Sequence, residues 1–280
     1  MTTTPKTILI TGCSSGIGLC VAKGLQQRGY RVFASARKQA DVQMLKEQGL
    51  NDSLLLDLED TTSIQNAVKQ VLQATNGELY ALFNNGAYGQ AGAVEDLSRD
   101  TLRKQFETNL FGWFELINLI IPVMRQQGYG RIIQNSSVLG LVAMPFRGAY
   151  NASKFALEGL TDTLRQELQQ STKNVFISLI EPGPILSRFR ANALQSLKDH
   201  IDIENSVYRE RYLQVIGRLE KEGPAVPFTE PPEAVLKRVI HALESPKPKI
   251  RYYVTVPTYL FAYLRCLLSW RMLDKILQRF

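Results

Sequence analysis

Seven short runs of branched apolar residues, set apart by longer stretches with helical spacing, constrain this chain more than any other feature. Residues 7–11, 31–35, 53–56, 81–83, 131–134, 175–180 and 251–256 read as strands. They alternate little between apolar and polar side chains, as expected of strands covered on both faces. Residues 17–27, 61–74, 101–127 and 152–170 have helical spacing, and Gly29 stands where a C-cap would end the first of them. Strand alternating with helix predicts an α/β fold: a doubly wound parallel sheet of the Rossmann type with right-handed crossovers. No internal repeat or low-complexity linker divides the 280 residues, so 1–280 reads as a single domain. Two parts depart from the pattern. Residues 186–227 are irregular and bracketed by prolines, which suggests a substrate lid, and residues 259–280 form an amphipathic C-terminal tail.

Composition narrows the function. An apolar fraction of 45% supports one large core, and 21% charged residues is not the composition of a disordered chain. A net charge of +7 would suit nucleic acid, an anionic membrane surface or a phosphorylated small molecule. The densest basic stretch, 245–251, is short and broken by prolines, which argues against nucleic acid. Cys13, Cys20 and Cys266 are odd in number and scattered. Neither a disulfide framework nor a metal site is expected, and a reducing cytoplasmic compartment is the natural one. Residues 1–6 lack the features of a signal peptide, and no apolar run is long enough to span a bilayer.

Directly after the first strand comes Gly12-Cys13-Ser14-Ser15-Gly16-Ile17-Gly18. Glycines there let the backbone turn sharply and approach a pyrophosphate, and the following helix offers free N–H groups and the positive end of its dipole. The spacing differs from the general dinucleotide fingerprint, so the alternative is a tight turn that binds nothing. The second strand ends in Ser35-Ala36-Arg37-Lys38, with no acid before Asp41. An NAD site usually places a carboxylate at that point. Arginine instead grips a 2′-phosphate through its fork of donors, which favours NADP held by Arg37 and, more weakly, Lys38. Asp57 either accepts from the adenine amino group or serves the local turn.

Tyr150 and Lys154 lie one helical turn apart and share a face if helical. A phenol of pKa about 10 exchanges protons poorly at neutrality. An ammonium at ~4 Å in an effective dielectric of ~20 favours the phenolate by ~4 kcal/mol, before desolvation is subtracted. Alone, this spacing is common by chance. It is accompanied by Ser137, just after the fifth strand, whose hydroxyl suits a substrate oxygen. Asn109 sits in a helical apolar run, unfavourable unless its amide is used.

With these residues assembled, the chain resembles the short-chain dehydrogenase/reductase family, near its branch of retinol and 17β-hydroxysteroid dehydrogenases and bacterial aldehyde reductases. Residues 11–18 resemble the family's glycine motif, and Asn109, Ser137, Tyr150 and Lys154 match its catalytic tetrad in order and spacing. Asn84-Asn85 matches its fourth-strand motif, Pro182-Gly183 its motif after the sixth strand, and Ser187 stands where threonine is common. The resemblance implies NADP contacts from Gly12, Ser14, Ser15, Gly16, Ile17, Gly18, Arg37, Lys38, Asp57, Asn84, Gly86, Pro182, Gly183, Ile185 and Ser187, together with Tyr150 and Lys154. One departure is Asn84-Asn85-Gly86-Ala87 where the family usually reads Asn-Asn-Ala-Gly; a Cβ at Ala87 would crowd a backbone that wants a positive φ. The resemblance also implies a seven-stranded sheet in order 3-2-1-4-5-6-7 and a homodimer or homotetramer. Phe106, Leu110, Phe111, Phe114, Leu116, Phe155 and Leu157 are candidates either for that interface or for covering their own sheet.

The expected reaction is reduction of an apolar aldehyde or ketone by NADPH, reversible as alcohol oxidation. Tyr150 gives the proton, Ser137 steadies the developing alkoxide, Lys154 acidifies the phenol and holds the nicotinamide ribose, and Asn109 joins Lys154 to solvent through a water. Val142, Ala143, Met144, Phe146, Ile185, Leu186, Phe189, Leu194 and Leu197 either line an apolar mouth or pack the lid. In the tail, Leu260, Leu264, Leu267 and Leu268 would share one face and Arg271, Lys275 and Arg279 another. Such a tail docks on protein or makes peripheral contact with an anionic membrane. His200 and His241 fall outside every motif, which disfavours a Ser/His/Asp hydrolase. The rival readings are an NADP-binding redox sensor without turnover and an NAD-dependent alcohol or hydroxysteroid dehydrogenase.

Overall fold

Seven strands pair in parallel, in the order β3-β2-β1-β4-β5-β6-β7, in the computed structural model of the protein, which describes residues 5–279. The leader reading of residues 1–4 and the last tail residue, Phe280, lie outside the described residues. The elements are β1 (Thr7–Ile10), α1 (Gly16–Gln27), β2 (Arg31–Ala36), α2 (Gln39–Glu47), β3 (Leu54–Leu55), α3 (Thr61–Ala74) and β4 (Ala81–Asn84). They continue with α4 (Arg99–Phe106), α5 (Gly112–Gln127), β5 (Gly130–Asn135), α6 (Gly148–Ser171) and β6 (Val175–Glu181). Next come α7 (Phe189–His200), α8 (Arg209–Glu220), α9 (Glu233–Glu244), β7 (Arg251–Tyr253), α10 (Val256–Leu267) and α11 (Trp270–Leu277).

Both faces of the sheet are covered, which is why its strands read as unbroken apolar runs. Ile8 and Ile10 point to one side, against Val21 and Leu25 of α1 and Val235 and Val239 of α9. Leu9 points to the other, against Ile64 and Val68 of α3 and Trp113 and Ile117 of α5. The strand ends and their turns therefore open along one edge, where the strand order reverses between β1 and β4.

The helical stretch 101–127 is not one helix. It divides into α4, a π-helical turn over Glu107–Phe111, and α5. At this turn the Asn109 side-chain amide bonds the Tyr88 backbone and Ser153, both on distant segments. The last strand stops at Tyr253 because Thr255 is the N-cap of α10, which has a proline in its first turn. Residues 186–227 hold two helices, α7 and α8, packed on a small core of Ala91, Ala93, Leu197, Ile201 and Tyr212. Two further helices, α2 and α9, lie outside the helical stretches the spacing predicts. The first buries only Val42 and Leu45; the second has clear helical spacing in Val235, Val239, Ala242 and Leu243.

Candidate active site

The cofactor side of the cleft is built from backbone. Gly12 and Gly16 adopt left-handed φ values of +69° and +56°. A Cβ on Gly12 would lie 2.5 Å from Gly86 Cα, and one on Gly18 would lie 2.2 Å from the Gly12 carbonyl oxygen. So the β1 turn and the β4 turn touch backbone to backbone. Thr11 fixes that contact, its Oγ1 accepting from the N–H groups of Asn85 and Gly86, each at 2.8 Å. Asn85 returns the bond through Nδ2 to the carbonyls of Thr11 and Gly12. This resolves the Asn-Asn-Gly-Ala departure: Ala87 has no positive φ, and the glycine at 86 supplies the close approach.

This half fits a dinucleotide. Ser15 precedes α1 without capping it through its side chain, and the first turn carries no acid, so its N–H groups remain available to an anion. Arg37 and Lys38 are exposed at the end of β2, with no ion pair among the described residues. Asp57 takes the Glu59 N–H on Oδ1, the local-turn role, while Asp60 caps α3. Asn84 is fully buried and donates to Gln134 and to the Trp113 carbonyl, which leaves Asn85 and Gly86 nearer the turn. Gly183 packs on Thr255, where a Cβ would meet Oγ1 at 2.2 Å. Pro182 accepts from the Val138 N–H, Ile185 bridges to Glu230, and the Ser187 Cβ lies 3.0 Å from where a Cβ on Gly16 would sit. The 186–227 segment thus begins against the glycine turn.

The chemical side is built from buried side chains. Ser137 caps a 3-10 turn over Val138–Gly140, and its hydroxyl, beside the Tyr150 phenol, lowers that group's proton affinity. Lys154, on the same face of α6, donates to the Asn135 carbonyl at 2.8 Å. Its ammonium stands 4.5 Å from the centre of the Trp113 ring and 5.7 Å from that of Tyr150. Asn109 accepts from the Tyr88 N–H and donates to the Tyr88 carbonyl and to Ser153 Oγ, which itself donates to the Tyr150 carbonyl. The tetrad therefore converges at the ends of β4, β5 and α6. Phe189, the first residue of α7, closes over it, its ring edge-on to Tyr150 at 5.3 Å.

Burial dominates the electrostatics here. It pushes the Tyr150 phenol up to about 12, against the lowering influence of Ser137 and Arg147. It pulls Lys154 down to about 7, with Glu158 one turn further on opposing it. Arg147 is a second cation beside the phenol, and sequence reasoning did not single it out. Its only signal was a basic residue three positions before Tyr150. Arg147 is half-buried, and its guanidinium donates to Met144 Sδ at 2.9 Å. Beyond Lys154, Glu158 and Glu181 form a buried carboxyl pair held by Arg251; desolvation raises both, Glu158 raises Glu181 further, and Asp162 adds to the rise of Glu158.

The apolar residues divide differently from the sequence reading. Val142, Met144 and Tyr150 pack against Phe261, Leu273 and Leu277, so the tail docks on its own domain beside the site. Leu264 and Leu268 face inward, whereas Leu260 and Leu267 are exposed and do not share their face. Leu197 belongs to the core under α7 and α8. A groove of about 530 Å³ lies outside the start of α6, bordered by Ala143, Met144, Phe155 and Leu277. Leu110, Leu116 and Leu157 cover their own sheet, while Phe111 and Phe155 stay exposed. Among the described residues no helix is long and apolar enough to cross a membrane.

Comparison with known proteins agrees with this geometry. Residues 6–198 match the family model described as short chain dehydrogenase. The chain is 42% identical over 273 residues to the uncharacterized oxidoreductase YbbO of Escherichia coli (strain K12), covering 98% of this chain and 94% of that protein. It is 34% identical over 262 residues to retinol dehydrogenase 8 of Homo sapiens, covering 90% and 82%. It is 30% identical over 275 residues to an NADPH-dependent 3-dehydrocapnine reductase of Ornithobacterium rhinotracheale, covering 96% and 94%. Its fold matches a short-chain dehydrogenase structure from Streptomyces avermitilis with a TM-score of 0.76 at 24% identity, covering 98% of this chain and 99% of that one. The chain belongs to the short-chain dehydrogenase family and is an oxidoreductase.

Proposed function

We propose that the protein is an NADPH-dependent reductase of apolar aldehydes or ketones, with Tyr150 as its proton donor. The observation that carries this reading is the convergence of Ser137, Tyr150, Lys154 and Asn109 beside a glycine turn whose helix N-terminus is free of acids. Arg37, exposed and without an ion pair among the described residues, favours the 2′-phosphate of NADP over NAD. The NADPH dependence named for the 3-dehydrocapnine reductase supports the same choice. The apolar class rests on Phe189 over Tyr150 and on the names of the relatives.

The bound dinucleotide supplies the hydride, and the protein supplies position and protons. Gly12, Gly16 and Gly18, with Ser14, Ser15 and Ile17, would seat the pyrophosphate, and Gly183, Ile185 and Ser187 would border the nicotinamide end. Ser137 and Tyr150 both direct a hydroxyl to the carbonyl oxygen; Tyr150 gives its proton as negative charge develops there. A phenol held above its ordinary pKa is protonated at neutrality, as an acid must be. Lys154 is positioned to return a proton to it, and Asn109 fixes the backbone around both. Residues 186–227 act as the lid.

Steady oxidation of NADPH by the purified protein across a panel of aldehydes and ketones tests the reading. Binding of NADPH without turnover of any member would favour the redox sensor. Equal use of NADH and NADPH would remove the argument from Arg37. The same reading takes the protein as a cytoplasmic homo-oligomer, paired through the exposed Phe111 and Phe155, which sedimentation analysis checks. The outward side of the tail, with Tyr263, Leu267 and Trp270 exposed near Arg271 and Lys275, is read as a peripheral contact with anionic lipid. Sedimentation with anionic liposomes, before and after Leu267→Glu with Trp270→Glu, decides that point.

A further inference from the structure

One helix of the tail is apolar on both sides. On the inner side Phe261 of α10 is buried and Leu264 half-buried, in one cluster with Tyr150, Val142 and Met144 and with Leu273 and Leu277 of α11. The opposite side of α10 carries Val256, Tyr259, Leu260, Tyr263 and Leu267, spaced i, i+3, i+4, i+7 and i+11, and all five are exposed. Trp270 and Met272 extend that stripe onto α11. Leu267 is 78% exposed, Trp270 71% and Tyr263 64%, so packing on their own domain does not account for them. A helix lying on its own domain normally turns a polar face to water, and a contiguous apolar patch marks a contact. Charge decides which contact. Residues 256–279 hold the exposed cations Arg265, Arg271, Lys275 and Arg279 against a single acid, Asp274, which borders the groove beside α6. Cations interspersed with tyrosine and tryptophan suit an anionic lipid surface, where amphipathic rings sit at headgroup level. A second copy of the chain would set these cations against their own kind.

The inner side decides what that contact does. The apolar cluster around Tyr150 is closed by Phe189 of α7 and by Phe261, Leu273 and Leu277 of the tail. A helix is ~10 Å across, so lipid on the outer stripe lies about one helix diameter from this cluster. We infer that the tail delivers the substrate: α10 and α11 rest on anionic lipid, and a long-chain carbonyl compound passes from the acyl chains to Tyr150, between Phe189 and the tail, without entering water. The substrate class narrows from apolar carbonyl compounds to those that reside in a bilayer. This rests on the reading of Tyr150 as proton donor and of the tail as a lipid contact.

The two tryptophans of the chain separate the steps, because Trp270 lies on the outer stripe and Trp113 is fully buried beside Lys154. Vesicles of phosphatidylglycerol and brominated phosphatidylcholine should quench Trp270 in the full chain, and Leu267→Glu or about 0.5 M salt should abolish that quenching. In Trp270→Phe, which keeps an aromatic ring on the stripe, hexadecanol brominated beside its hydroxyl-bearing carbon and dissolved in unbrominated anionic vesicles should quench Trp113. Adding Leu267→Glu should remove that signal, and no turnover is required. With NADPH, kcat/KM for hexadecanal should be higher by about tenfold or more on anionic vesicles than on neutral ones, whereas water-soluble butanal should not respond to vesicle charge. Trp270 quenched without Trp113, with hexadecanal indifferent to vesicle charge, overturns delivery and leaves the lipid contact standing. An unquenched Trp270 also overturns it; if Leu267→Glu then dissolves a dimer in sedimentation, the stripe belongs to a second copy. If neither aldehyde is reduced, it is the Tyr150 reading that fails, and the quenching of Trp113 alone decides delivery.

Discussion

The two walls of the cleft are made of different material. On the β1–α1–β2 side, position is fixed by backbone meeting backbone, Gly12 against Gly86 and Gly18 against the Gly12 carbonyl, and the cations Arg37 and Lys38 stand in solvent. On the β5–α6 side, position is fixed by buried side chains, and burial moves the groups themselves, Tyr150 upward and Lys154 downward. A wall of backbone tolerates no added atom and keeps its charges in solvent. A wall of buried polar side chains tolerates shape changes better, yet every substitution in it alters proton affinities. The first suits a large, invariant ligand, and the second suits chemistry.

Substitutions can break that contrast. The largest effect is expected for Tyr150→Phe, which keeps the ring on Phe189 and removes the proton. Reductive kcat should fall by about 10²–10⁴, while NADPH still quenches tryptophan fluorescence. A variant that turned over like the parent would end the acid assignment. Next is Gly12→Ala. A Cβ 2.5 Å from Gly86 Cα, at a φ of +69°, forces the two turns apart. NADPH affinity should weaken by tenfold or more, with an added cost of about 1–3 kcal/mol in stability. Unchanged affinity would mean that the backbone contact does not shape the nucleotide seat. Arg37→Asp should shift the preference from NADPH toward NADH by about tenfold to a hundredfold, with little change in stability because the side chain is exposed. An indifferent variant would send the 2′-phosphate elsewhere.

The smallest effect lies behind the chemical wall and appears only as pH dependence. Glu181 is fully buried beside Glu158, so its folded pKa lies above its ordinary value of 4.5. Above that pH the folded protein retains a proton that the unfolded chain has lost, and stability falls as pH rises. Glu181→Gln removes that loss. The variant should therefore gain on the parent as pH climbs from about 5 toward 8 in urea denaturation. Parallel pH profiles would show that the pair does not share a proton.

The sequence carried the sheet, its two-sided cover, the glycine turn and the order of the residues that meet in the cleft, because each depends on residues near one another in the chain or on a pattern repeated along it. Short branched runs bounded by turn residues favour strands covered on both faces, and glycines between strand and helix favour a tight turn. Other features depended on which distant segments meet. At the break of 101–127 the Asn109 amide bonds Tyr88 and Ser153, both on distant segments. The docking of Phe261, Leu273 and Leu277 beside Tyr150 follows from where β7 delivers the tail. The proton affinities of Tyr150 and Lys154 were likewise decided in three dimensions, since desolvation is a property of the packed interior and leaves no spacing in the sequence.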